Sequence, residues 1–237
     1  MPSPPVSAPG RDRTGSFTPE ELLGPLNPQE QRFAPKALFA AGHLDWLRRP
    51  RRVAIVGARH ASEGGLRRAR KLARILVQHD ATIVSGLAAG IDAAAHTAAI
   101  EAGGRTIAVI GTPLSRTYPP THRALQQHLM RDHLVVSQFP EGATTARRSF
   151  PLRNRTMALI SEASVIVEAG DGSGSLSQGW EALRLGRPLF LMASLLDRSE
   201  LSWPRTMIEY GAMVLRTPED LLEQLPEAVD DPLAAIA

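Results

Sequence analysis

From Arg52 onward, short apolar runs rich in β-branched residues alternate with longer stretches of helical period, and no other feature restricts the fold so strongly. The runs are Val53–Val56, Thr82–Val84, Thr106–Ile110, Leu134–Val136, Ser164–Val167, Pro188–Leu191 and Ala212–Leu215. Helical patterns lie between them, near 65–79, 91–102, 121–131, 154–161, 175–185, 204–210 and 218–225. Strands apolar on both faces belong in a parallel sheet covered by helices on either side. The spacing therefore predicts a single α/β domain, a doubly wound and mainly parallel sheet. Glycines close two of the helices before the next strand, at Gly103–Gly104 and at Gly186. Residues 1–37, rich in Pro, Ser and Gly, read as a flexible leader with room for a short helix. Residues 38–225 then form the folded domain, and 226–237 an acidic tail.

Composition narrows the chemistry. The 237 residues contain no cysteine, which excludes a disulfide framework, a thiolate metal site and a cysteine nucleophile. No apolar run approaches the roughly 20 residues of a membrane helix, and the first ten residues lack the apolar core of a secretory signal. The expectation is a soluble, cytoplasmic protein with no membrane partner. Charge is segregated: ten basic residues and one acid, Glu63, lie between Arg48 and Arg74, whereas Thr217–Ala237 holds six acids and no base. Only Lys36 and Lys71 are lysines; every other cation is arginine. Guanidinium groups suit phosphate-bearing partners, although the same segment also reads as a solvated helix face.

Ligands of open parallel sheets bind beyond the carboxyl ends of the strands, where loops and helix N-termini expose backbone N–H groups. The glycines fall there. Gly57-Ala-Arg59-His-Ala-Ser62-Glu-Gly-Gly65 follows the first strand, with Gly57 for a sharp turn and Arg59 as a fixed cation. It is neither GxGxxG nor a Walker loop, so the lysine and hydroxyl required by a nucleoside triphosphate are missing. Ser85-Gly86-Leu-Ala-Ala-Gly90-Ile-Asp92 follows the second strand, with His96 one helical turn beyond Asp92. No third metal ligand and no GxSxG elbow accompany them, so Asp92 reads as a helix-start residue and His96 as a hydrogen-bonded core residue. Phe150-Pro-Leu-Arg153-Asn154-Arg155, preceded by Arg147 and Arg148, reads as a loop entering a helix. It offers phosphate forks, an amide and an aromatic ring able to stack on a base, or else to join the core. Glu168-Ala-Gly-Asp-Gly172-Ser173-Gly174-Ser175 opens another helix as an anion cradle, with Ser175 as the expected N-cap.

Taken together, VAIVGARHAS at 53–62, SGLAAGIDAAAH at 85–96, GGRTIAVIG at 103–111, TYP at 117–119, FPLRNR at 150–155, EAGDGSGSL at 168–176, GRPLF at 186–190 and IEYGA at 208–212 resemble the DNA-processing protein A family, DprA or Smf. The resemblance runs in order across roughly 38–225. It implies a Rossmann-like domain that binds single-stranded DNA, protects incoming strands in natural transformation, helps load the RecA recombinase in recombination and self-associates as a homodimer. The family's strand-gripping pocket maps to Gly57, Arg59, Phe150, Arg153, Asn154 and Arg155, with Ser85, Gly86 and Gly172–Ser175 beside it; Ser62, Arg147 and Arg148 complete the expected phosphate-binding set. No catalytic residue, metal or cofactor is implied. A helical domain usual before this fold has no room in 1–37, and no winged-helix domain is expected after Leu225. The family's AVPG is replaced by Leu191-Met192-Ala193-Ser194, its downstream Gly and Asn by Trp203 and Arg205, the Asn after TYP by His122, and a Glu by Gln138.

Two other functions fit the same fold. Phosphoribohydrolases acting on nucleoside monophosphates carry PGGxGTxxE, whose acidic positions fall here at Ser177 and Gln178, with Glu181 a further turn along. A sensor of a nucleotide-derived ligand, for instance in defence against mobile DNA, would use the same arginines and cradle.

Overall fold

Residue alternation along β3 (Arg52–Gly57) sets the layers. Val53 and Ile55 face a core formed with α3 (Glu63–Gln78) and α4 (Ile91–Glu101), while Ala54 and Val56 face an opposite core that includes Met157, Ile160 and Met207. A strand buried on both sides in this way is what the continuous apolar run requires. The computed structural model describes residues 14–227. Among these residues nine strands form one sheet in the order β1-β2-β6-β5-β4-β3-β7-β8-β9, with β1 at Gly15–Phe17 and β2 at Leu38–Gly42. Strands β3, β4 (Thr82–Ser85), β5 (Thr106–Ile110), β6 (Leu134–Ser137), β7 (Ala163–Glu168), β8 (Leu189–Met192) and β9 (Met213–Leu215) are mutually parallel. The chain winds from β3 out to β6, returns to place β7 against the other side of β3, and continues to β9. Strand order thus reverses between β3 and β7, the switch point at which ligands of such sheets bind.

Helices cover both faces. α3 and α4 pack closely through Ala69, Ala73, Ala94, Ala95, Ala98 and Ala99, whose small side chains let the two helices lie tight against β3, β4 and β7. Leu129 of α5 (Arg123–Asp132) covers β5 and β6, and Leu221 of α9 (Pro218–Leu222) joins the α3 core. On the opposite face lie α6 (Ser149–Ile160), α7 (Gly174–Arg184) and α8 (Trp203–Glu209).

Two expectations need correction. Residues 14–37, read as flexible leader, form β1 (Gly15–Phe17), α1 (Pro19–Leu23) and α2 (Pro28–Phe33), followed by β2 (Leu38–Gly42). β1 pairs antiparallel with β2, and β2 antiparallel with β6, so this segment supplies one edge of the sheet. Both short helices start in capping boxes with proline at the first turn: Thr18 with Glu21, and Asn27 with Glu30. Helices of five and six residues show no apolar period, which is why polar composition concealed them. Leu22 and Leu26 are nevertheless buried, and Glu30 meets Arg187 at 2.5 Å. The second correction is α6, which begins at Ser149 rather than 154. Ser149 Oγ accepts from the Ala146 N–H at 3.1 Å, and Pro151 falls in the first turn, where its missing N–H costs nothing. The leader's first 13 residues and the tail from 228 lie outside the described residues.

Glu30 is therefore a structural residue in a segment that composition marks as dispensable. Glu30→Ala removes the capping carboxylate and leaves Arg187 unpaired, and is expected to cost about 1–3 kcal/mol. Denaturant unfolding, with DNA-free protein, measures it; a change within about 0.5 kcal/mol would mean the segment contributes little to the fold.

Candidate nucleic-acid interface

Three segments converge at the switch point around a cleft of about 450 Å³. The loop after β3 contributes Gly57–His60, the first turns of α6 contribute Phe150, Arg153, Asn154 and Met157, and the loop after β7 contributes Gly170–Gly174. Ser175 and Gln178 of α7, with Ala88 and Asp92 from the start of α4, complete the wall.

Close approach explains the glycines. A Cβ at Gly57 would sit 2.8 Å from the Glu168 carbonyl and 2.9 Å from Ile91 Cβ, so a side chain there would push the loop off β7. A Cβ at Gly86 would lie on the Arg153 guanidinium. Arg153 is buried at 6% exposure, donates from Nη1 to the Val109 carbonyl at 2.9 Å and lines the cleft floor; its Nε has no partner among the described residues. Burial lowers its pKa and nearby Asp92 raises it, and a guanidinium remains protonated throughout. Asp92 Oδ2 accepts from Gly86 N at 3.1 Å and Ala88 N at 3.4 Å. Burial pushes the Asp92 carboxyl above its usual range, opposed by Arg153 and by backbone N–H groups. The pair therefore places a fixed cation under the cleft while holding the SGLAAG loop in place.

Arg59 lies exposed at the mouth, with its Cζ 5.6 Å from the Phe150 ring centroid and no ion pair among the described residues. Phe150 is half-buried, tilted at 48° against Tyr118 at 5.3 Å, and presents its ring to the cleft. Asn154 Nδ2 donates to the Gly174 carbonyl at 3.0 Å, tying α6 to the glycine loop. The N-cap of α7 is Ser173 rather than Ser175: its Oγ accepts from Ser175 N, and the two hydroxyls lie 2.7 Å apart. The positive end of α7 thereby points into the cleft, an electrostatic setting that favours anions.

Of the residues singled out in the sequence, Gly57, Arg59, Phe150, Arg153, Asn154 and Gly172–Ser175 meet here. The others stand apart. Ser62 caps α3, accepting from Gly65 N at 3.0 Å and donating to Glu168 at 2.6 Å. Ser85 is buried and donates to the Ile55 carbonyl at 2.6 Å, and Gly86 lies beneath Arg153 rather than on the wall. Arg147 and Arg148 are exposed ahead of α6, outside the cleft. Arg155 leaves on another side of α6, pairing with Glu181 at 3.2 Å and lying over Phe33. Sequence reasoning missed His60, Asp92 and Gln178 as wall residues. Gln178 could have been found from its spacing, one turn beyond Ser175; its Nε2 donates to Ser164 Oγ at 3.1 Å and its Oε1 is unpaired among the described residues.

His96 is a core residue. Thr106 Oγ1 donates to the Ile83 carbonyl, so it accepts from His96 Nδ1–H at 2.7 Å, and Nε2 is buried. Burial, with the nearby His133, His122 and Arg153, lowers its pKa to about 3.

A cationic cleft at the switch point of a doubly wound sheet, walled by glycine loops and a helix N-terminus, defines a Rossmann-like α/β domain with a phosphate-sized cradle. The family of DNA recombination-mediator protein A matches residues 19–226, and the chain belongs to that family. DNA processing protein DprA of Bacillus subtilis is 35% identical over 81% of this chain and 65% of its own length. The X-ray structure of DNA processing protein A from Streptococcus pneumoniae superposes with a TM-score of 0.78 and 35% identity, over 90% of this chain and 75% of the other. The Helicobacter pylori protein, whose structure is described for its single-stranded DNA binding mode, gives 0.73 and 26%, over 89% and 95%. Against curated relatives the chain spans between about half and two thirds of their length.

Two outcomes follow. Gly86→Ala, which forces the Arg153 guanidinium aside, is expected to cost about 1–3 kcal/mol in denaturant unfolding. A neutral cost would mean that Arg153 moves freely. For His96, the unfolded state takes up a proton near pH 6.5 and the folded state only near pH 3. Stability is then lost as pH falls through that window, by about 1.4 kcal/mol per pH unit for this group. Unfolding free energies at pH 7 and 5 should differ by less in His96→Gln than in wild type; equal differences would place the acid sensitivity elsewhere.

Proposed function

We propose that the chain binds single-stranded DNA in the switch-point cleft and acts as a cytoplasmic recombination mediator, protecting incoming strands and assisting RecA loading as a homodimer. One observation carries the DNA reading: Arg59, the Phe150 ring, buried Arg153 and the N-terminus of α7 all open on one cleft. Arg59 and α7 suit phosphate oxygens, and Phe150 suits base stacking, a combination that tolerates any sequence. Arg153 supplies a desolvated charge beneath them. The single-stranded DNA binding mode described for the Helicobacter pylori relative supports the same ligand class. RecA contact and self-association rest on the family resemblance.

Binding rather than turnover is supported by the acid/base positions. Where phosphoribohydrolases carry a carboxylate, the cleft presents the Gln178 amide, and Glu181 is engaged by Arg155 and Arg184.

Fluorescence anisotropy of a labelled oligonucleotide at several salt concentrations tests this, with duplex DNA and mononucleotides as competitors. A steep negative salt slope and single-strand preference are expected. Arg59→Ala should lower the slope by about 0.7, one phosphate contact, and Phe150→Leu should weaken binding by roughly the 1–3 kcal/mol of one stacked base. Folded variants that bind like wild type would remove the cleft as the DNA site, and displacement by a single mononucleotide would favour a nucleotide sensor.

A further inference from the structure

The switch-point cleft uses little of the basic segment. Arg59 lines it, while Arg52 is buried against Glu162, Arg51 donates to the Pro226 and His79 carbonyls, and Arg48 donates to the Glu21 carbonyl. The remaining cations of the segment, Arg49 apart, lie on α3. Arg74 meets Glu101 at 2.9 Å and Arg68 meets Glu168 at 3.1 Å, but Arg67, Arg70 and Lys71 have no ion-pair partner among the described residues. Positions 67, 70, 71 and 74 are three and four apart, so like charges line one helix face, an arrangement that opposes helix formation. A helix held against that repulsion is suited to an anionic partner.

Arg68 and Lys71 also line a second cleft, of about 190 Å³, between α3 and the segment joining β9 to α9. Arg216 adds a third cation at its rim, and Leu72, Ile75 and Leu215 form an apolar floor. Leu215 ends β9, so this cleft opens on the same carboxyl edge of the sheet as the first. The two are joined through Glu168, the last residue of β7, which accepts from Ser62 N at 2.7 Å and pairs with Arg68. Two of the nearby acids are engaged: Glu168 as described, and Asp220 by the Arg216 and Thr217 N–H groups at 2.8 Å. A cleft this size is below the roughly 300–1,000 Å³ of a small-molecule pocket, which argues against an independent metabolite site. Cations above an apolar floor match a backbone with a base against it.

We propose that this second cleft, with the exposed face of α3, holds the phosphodiester backbone of a DNA strand leaving the switch-point cleft. The proposal rests on the reading that the first cleft binds single-stranded DNA. Lys71 and Arg216 are exposed and their side chains bond nothing among the described residues, so both can be removed without disturbing the fold.

The test compares oligothymidylates of about 6 and about 20 nucleotides on wild type, Arg59→Ala and the Lys71→Ala/Arg216→Ala double variant, with thermal unfolding as the fold control. The double variant should bind the long strand several-fold more weakly, with a salt slope smaller by about 1.4 for two lost phosphate contacts, and bind the short strand like wild type. Arg59→Ala should weaken both strands. Unchanged long-strand affinity and slope in the double variant, or equal losses on both strands, would overturn the second cleft while leaving the first intact. Failure of wild type to bind either strand would instead overturn the DNA reading itself, and this proposal with it. Should the alanine variant lose thermal stability, Lys71→Gln/Arg216→Gln is held to the same outcomes.

Discussion

A guanidinium buried at the carboxyl edge of the sheet organises the site. Arg153 reaches from α6 to the Val109 carbonyl of β5, and nearby Asp92 opposes the cost of burying its charge. Asp92 in turn holds the Gly86–Ala88 loop through its N–H groups, and Gly86 must lack a side chain for the guanidinium to fit. Loop, helix start and cleft floor are thereby linked through Asp92, Gly86 and Arg153.

Around that unit, charge is graded by exposure. Arg153 is desolvated and fixed; Arg59 is exposed and free to meet a partner; the α3 cations lie farther out, on solvent-facing helix. Coulombic attraction is weak and salt-screened at the exposed positions and stronger where water is excluded. Outer cations therefore bear mainly on capture and salt dependence, and the inner one on the shape of the bound state.

The lateral edge of the sheet formed by β1 and β2 depends on a different kind of information. β1 and β2 extend the parallel sheet antiparallel, carried by a segment whose signature is two capping boxes rather than an apolar period. TPEE and NPQE were readable as helix starts, but each helix is too short to show periodicity. The burial of Leu22 and Leu26 comes only from packing against the rest of the fold.

By itself the sequence determined the alternation of strands and helices, the glycine loops at the strand ends and the supply of arginines near them, because these follow from local period and backbone freedom. Tertiary structure decided which arginines share a site. Read as a loop, FPLRNR makes Arg153 and Arg155 equivalent; as the opening of α6 it separates them by about 200° around the helix, one toward the cleft and the other toward Glu181. Asp92 and Gln178 entered the wall for the same reason: the long return from β6 to β7 brings α4, α6 and α7 together across the switch point, a juxtaposition that no local pattern encodes.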